Sequence, residues 1–163
     1  MNKNYFELFS LPVAFAIDEA LLQQRYRELL LQLHPDRRPT VSPHEKKEAT
    51  LLLAFVHDAF RTLLSPVKRA EYLLQLLVSM PQNAERTVHD VDLLTQQLEW
   101  REELEALKRE DVHADELSLF YEKIKAERQR TLDALKQAFD SQSYDLANEL
   151  CVKLKFIERL LQQ

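Results

Sequence analysis

The sequence predicts an all-α protein, and three features carry that prediction. The 163-residue chain contains no glycine. This excludes Gly-rich phosphate loops, the dinucleotide fingerprint and the usual two-residue hairpin turns. Its six prolines fall mostly between segments of helical periodicity. Hydrophobic residues make up 45% and charged residues 30%, enough to fill a core beneath solvated faces. The expected layout is a helical hairpin with flanking helices over residues 1–80, a polar linker at 81–89 and a three-helix bundle over 90–163.

The opening segment, Tyr5-Phe6-Glu7-Leu8-Phe9, is short and aromatic, a helical turn or two expected to end at Pro12. Asp18 is placed to cap the next helix, with Ile17 and Leu22 at hydrophobic-staple spacing. Leu22, Tyr26, Leu29, Leu30 and Leu33 then recur at helical period. Pro35 lacks an N–H and fixes its own φ, and it pushes His34 out of the α region, so this helix should end there. His34-Pro35-Asp36 is thus either a plain helix terminator with a solvated acid or a rigid tip projecting an imidazole and a carboxylate. Four arginines (25, 27, 37 and 38) against Glu28 and Asp36 give residues 24–38 a net charge of 4 − 2 = +2.

A second long helix starts at Ser42 as N-cap, with Pro43 at the first position and Glu45 completing a capping box. Ala49, Leu52, Leu53, Val56, Ala59, Phe60 and Leu63 form its expected buried stripe. Ser65-Pro66 closes it and caps a further helix carrying Ala70, Tyr72, Leu73, Leu76 and Leu77.

Beyond the linker, three helices are expected, at about 90–109, 115–139 and 144–162. Short connections make neighbours antiparallel and a three-helix bundle the simplest arrangement. The middle helix should bury Leu117, Phe120, Ile124, Leu132, Leu135 and Phe139. The last should bury Leu146, Leu150, Leu154, Ile157 and Leu161, with Phe156 off the stripe. The first carries two faces. Leu93, Gln97, Trp100, Leu104 and Leu107 form one. Leu94, Leu98 and Glu102 lie about a third of a turn round, widened by Thr95 and Glu99. Apolar residues left over after the core is filled suggest a docking surface. A broad core face, or scattered surface apolars, would leave the same pattern.

The charge is uneven. Residues 1–80 carry 10 Lys/Arg and 9 Asp/Glu, net +1; residues 81–163 carry 12 and 18, net −6. An acidic second half disfavours phosphate-backbone binding, and no nucleic-acid recognition motif is present. The single cysteine, Cys151, excludes an internal disulfide and any Cys-x-x-Cys site. Flanked by Leu150 and Val152, it is expected to be a buried, inert thiol. The five histidines show no metal-ligand spacing, and nothing assembles a base, a nucleophile and an oxyanion site. No enzyme activity, cofactor, metal or small-molecule substrate is expected. The start lacks the apolar region of a signal peptide, and no apolar run is long enough to span a membrane. A cytoplasmic, bacterial location is expected.

Several motifs together resemble the J domain of the DnaJ-type co-chaperones. They are Tyr5-x-x-Leu8, His34-Pro35-Asp36 and Ala59-Phe60-x-x-Leu63-x-x-Pro66-x-x-Arg69-x-x-Tyr72. His57 stands where that family usually has Asn, and Arg37 where Lys is usual. The stretch from Gln97 to Glu105, Lys153 to Glu158, Leu8-Phe9-x-Leu11-Pro12 and Arg69 to Leu74 are similar to the HscB branch, the J-type co-chaperones of iron–sulfur cluster assembly. This likeness extends from Tyr5 to about Leu161. It implies a J domain followed by a C-terminal bundle. It also implies two partners: the DnaK-family chaperone HscA, whose ATPase is stimulated, and the cluster scaffold IscU. On the chaperone side it implies His34, Pro35 and Asp36, with Arg25, Arg27, Arg37 and Arg38 steering toward an acidic surface. On the scaffold side it implies Leu94, Leu98, Glu99, Glu102 and Phe156. A J-type co-chaperone for another client, or a plain helical adaptor, is the alternative.

Overall fold

A computed structural model describes residues 3–34, 42–78, 91–109 and 114–163. The described residues form helices and no strand. The helices are α1 (Tyr5–Leu8), α2 (Glu19–Leu33), α3 (Pro43–Leu64), α4 (Pro66–Val78), α5 (Val91–Arg109), α6 (Ala114–Asp140) and α7 (Tyr144–Gln162). The chain divides into two compact units, Met1–Leu73 and Leu74–Gln163. The expected linker lies outside the described residues.

The helix starts follow their capping chemistry. Asn4, Asp18 and Ser42 each sit in extended backbone and accept the N–H of the residue three further on, satisfying a donor that the helix cannot pair. Ser65 serves two helices. Its N–H donates to the Arg61 carbonyl at the end of α3, and its Oγ accepts the Lys68 N–H at the start of α4. The chain bends by 106° there.

Two helix ends use backbone that normally asks for glycine. After α1, Ser10 takes φ 52°, Ser10 N–H donates to Glu7 and Leu11 N–H to Phe6. After α6, Gln142 takes φ 59°, Gln142 N–H donates to Phe139 and Ser143 N–H to Ala138. Both are Schellman motifs, in which the paired 5→2 and 6→1 bonds offset the steric cost of a left-handed non-glycine residue. The first of them ends α1 at Leu8, earlier than the expected stop at Pro12.

In the first unit α2 pairs with α3, and α1 packs on α3. Fully buried side chains cluster at the base of the hairpin: Leu22 from α2, Val56, Ala59 and Leu63 from α3, with Phe6 and Ala70. Toward the tip, Leu29, Leu30, Leu33, Ala49 and Leu53 are half-buried, and Leu52 is exposed rather than buried as its period suggests. Two helices alone cannot cover both flanks of each stripe; the base has α1 and α4 as well. Leu76 and Leu77, expected in the α4 stripe, are exposed in its last turn, beyond the residues that close this core. Across the hairpin Tyr26 stacks on Phe60, ring centroids 3.9 Å apart, and its hydroxyl is hydrogen-bonded to His57 Nδ1. His57 is therefore a polar link between α2 and α3.

Arg69 braces the corner between α3 and α4. It is 5% exposed, its Nη1 donates to the Leu63 carbonyl at 2.6 Å, and its guanidinium lies 5.0 Å from the Phe15 ring centroid. Leu63 O is one of the last four carbonyls of α3, which have no partner within the helix. A cation there also suits the negative helix end. Burial pushes the guanidinium below its usual range, while Glu19 pulls in the other direction.

The second unit is a three-helix bundle in which α5, α6 and α7 all touch one another. Leu93, Trp100 and Leu104 from α5 face the core, with Phe120, Ile124, Thr131, Leu135 and Phe139 from α6. The α7 stripe is rotated from the expected one. Ala147, Cys151, Leu154, Ile157 and Leu160 are buried, whereas Leu146 is 49% exposed and Leu150 and Leu161 are half-buried. Small side chains at 147 and 151 fill the interior here, a pattern that a count of leucines misses. Cys151 is buried as expected. Lys123–Glu103 at 2.6 Å ties α6 to α5, and Arg128–Glu158 at 2.7 Å ties α6 to α7.

Two candidate docking surfaces

The first candidate surface belongs to the hairpin. His34 is the C-cap of α2, exposed, with φ −63° and ψ 131°. Its backbone has left the α region as the following proline requires. Pro35, Asp36, Arg37 and Arg38 lie outside the described residues. Arg27 is exposed and Arg25 half-buried. They are two positions apart on α2, about 200° round at 3.6 residues per turn. The two therefore do not share one basic patch, and Arg25 flanks the buried stripe.

The second candidate surface lies along α5. Leu94 and Leu98 are each 55% exposed, one turn apart, and Glu99 and Glu102 beside them are exposed too. The second face is therefore free of the core, and the broad-core alternative does not hold for it. Phe156 is different. It is 8% exposed and belongs to the core cluster with Trp100, Leu104, Phe120, Ile124, Ile157 and Leu160. Its ring stacks on Trp100, and the Arg101 guanidinium lies 5.7 Å from its centroid. The expectation of a left-over aromatic fails because α7 buries a wider arc than one stripe. At its C-terminal end Phe156, Ile157 and Leu160 are all covered. Phe156 supports the α5 face from within.

Val91 was not among the expected site residues, although it is 72% exposed and opens the same face of α5. Its spacing, three before Leu94 and seven before Leu98, was visible in the sequence. Among the described residues no group of three or more His, Cys, Asp or Glu could hold a metal ion. No single described helix is long and apolar enough to cross a membrane.

The described residues form a J-like helical hairpin unit followed by a three-helix bundle, the build of an HscB-type co-chaperone. A family model described as the HSCB C-terminal oligomerisation domain matches residues 89–163. The chain is 39% identical over 160 residues to the "Co-chaperone protein HscB homolog" of Aeromonas hydrophila, covering 98% of this chain and 93% of that one. Among solved structures it is similar to the chaperone HscB from Vibrio cholerae, with TM-score 0.86, 34% identity and coverage of 98% and 94%. It is also similar to the human co-chaperone HscB, with TM-score 0.87, 27% identity and coverage of 99% and 80%. The chain belongs to the HscB co-chaperone family.

Proposed function

We propose that this chain is a non-catalytic co-chaperone of iron–sulfur cluster assembly, acting in the cytoplasm. Its first unit, as a J domain, would dock on the ATP-bound state of a DnaK-family chaperone, HscA in this family, and favour hydrolysis. His34, Pro35 and Asp36 make the short-range contacts, and Asp36 can form a charge-assisted bond to a partner arginine. Arg25, Arg27, Arg37 and Arg38 raise the encounter rate with an acidic surface, which needs positive potential rather than one contiguous patch. The second unit holds the scaffold IscU on Leu94, Leu98, Glu99 and Glu102, with Phe156 fixing the shape of that face. Tethering the scaffold raises its effective concentration at the chaperone.

The near-full-length identity to an HscB co-chaperone carries this reading. The exposed, extended His34 and the exposed Leu94–Leu98 pair support it. The test is capture of purified HscA and IscU by the chain, with the chaperone ATPase measured alongside. Both should be captured and the ATPase should rise. His34→Gln or Asp36→Ala should abolish the stimulation while helical content is kept. Unchanged stimulation by those variants would remove the J-domain role, and capture of HscA without IscU would point to another client.

A further inference from the structure

We propose that the outward face of α3 is a self-association surface, on which a second copy of this chain docks by an antiparallel α3–α3 crossing. Leu51 is 63% exposed and Phe55 39%. Ala54 between them is exposed, as are Lys47 and Asp58 at the two ends. Lys47, Leu51, Ala54 and Asp58 are spaced by four, three and four residues. At 3.6 residues per turn they stay within about 60° of one another, with Phe55 at the margin. This is the spacing of a coiled-coil seam. The core of the first unit uses the other side of α3, where Val56, Ala59 and Leu63 are buried and Phe60 stacks on Tyr26. The seam is therefore left over once that core is filled.

The charges say which occupant fits. The strip is basic at one end and acidic at the other, and neither Lys47 nor Asp58 forms an ion pair among the described residues. A two-fold axis between Leu51 and Ala54 makes this strip its own complement. It sets Lys47 of each copy against Asp58 of the other, and Leu51 against Ala54 and Phe55. Arg61 then comes opposite His44, whose Nε2 lies 3.0 Å from Glu48 Oε1, so an acid stands beside it as well. A parallel pairing would put like charges together at both ends, which disfavours it. Tyr5 packs edge-on to Phe55, with ring centroids 5.5 Å apart and 70° between the planes. The aromatic is thus held in place before the second copy arrives, which lowers the cost of docking.

One crossing of two helices is a small interface, so the dimer is weak, with a dissociation constant on the order of 10⁻⁴ M. Leu51 and Ala54 lie on the side of α3 away from α2. Pairing there leaves the exposed Arg27 side of α2 uncovered.

The test is sedimentation equilibrium of the full chain from about 10 to 500 μM, which brackets so weak an interface. Circular dichroism controls for folding. Wild type should shift from monomer to dimer as concentration rises, and less so at high salt. Lys47→Glu and Asp58→Lys should each weaken the dimer about 10-fold or more, because each sets like charges together at both ends. Leu51→Asp, at the most exposed apolar position, should abolish it. An equimolar mixture of Lys47→Glu with Asp58→Lys should dimerise again, since the mixed pair restores opposite charges at both ends. A wild type that stays monomeric overturns the proposal. So does a dimer that all three variants leave intact, and so does a mixture that stays monomeric. Loss of HscA capture by Leu51→Asp, beside a monomeric wild type, would assign the strip to the chaperone instead.

Discussion

Trp100 of α5 and Phe156 of α7 stack with ring centroids 6.4 Å apart and 11° between their planes. Arg101 lies over the Phe156 ring and Lys153 lies 6.0 Å from the Trp100 centroid, so each ring also carries a cation. This couples the exposed side of α5 to the bundle core. It separates two kinds of residue that the sequence had grouped together.

Phe156→Ala should therefore act on stability first. Removing a buried aromatic costs about 3–5 kcal/mol, read as a fall in the bundle's unfolding midpoint. Leu94→Ala and Leu98→Ala, at exposed positions, should move stability by no more than about 0.5 kcal/mol. The double leucine variant should still weaken scaffold binding while stimulating the chaperone ATPase by itself as well as wild type does. Thermal melts and titration on the same samples distinguish the two cases.

Arg69→Met should destabilise the first unit by about 1–3 kcal/mol, because it leaves the Leu63 carbonyl buried without its donor. Hydrogen exchange should report the loss around Ser65, where α3 and α4 join. Arg69→Lys, retaining a cation and one donor, should fall between. A neutral Arg69→Met would mean that the desolvated guanidinium costs as much as its bond returns.

Alkaline pH should weaken the first unit through Tyr5. Burial, helped by Tyr72 and Asp58, raises its pKa above 10.0. Below pH 10 the phenol is neutral in both states and its contribution is complete. Above that the unfolded chain ionises first, so stability falls as pH rises toward the folded value. Tyr5→Phe should flatten this part of the pH profile of the melting temperature.

Gln142→Gly should stabilise the bundle by about 1 kcal/mol, and Ser10→Gly the first unit similarly. Each residue already holds a left-handed φ that glycine adopts without a Cβ clash. Urea unfolding midpoints check this, and a drop would mean that the freedom glycine adds to the unfolded chain outweighs the relieved clash.

Helix placement was legible because caps are local chemistry. Asp18, Ser42 and Ser65 announce their roles by residue type and spacing, and α7 begins and ends where its pattern does. The α5 core face was legible for the same reason, since Leu93, Trp100 and Leu104 recur at one period. Burial on α7 was not. Leucines at 146 and 150 outweigh alanine and cysteine at 147 and 151 in any hydrophobic tally, yet the smaller residues occupy the interior. The covering of Phe156 depends on three helices at once, as does the thin cover at Leu52, and a one-helix pattern contains neither. The end of α1 was hidden because a left-handed serine carries no sequence signature comparable to glycine's.

The backbone of His34 is extended although the residue ends a helix, and the next residue is proline. Its main chain has fewer alternatives, since the pyrrolidine ring of the next residue disfavours a return to the helical basin. A partner that engages the imidazole meets a residue whose conformational choice was made when the chain folded. Part of the ordering entropy of such an encounter would then be absent from the association step, and affinity would rise without an added contact.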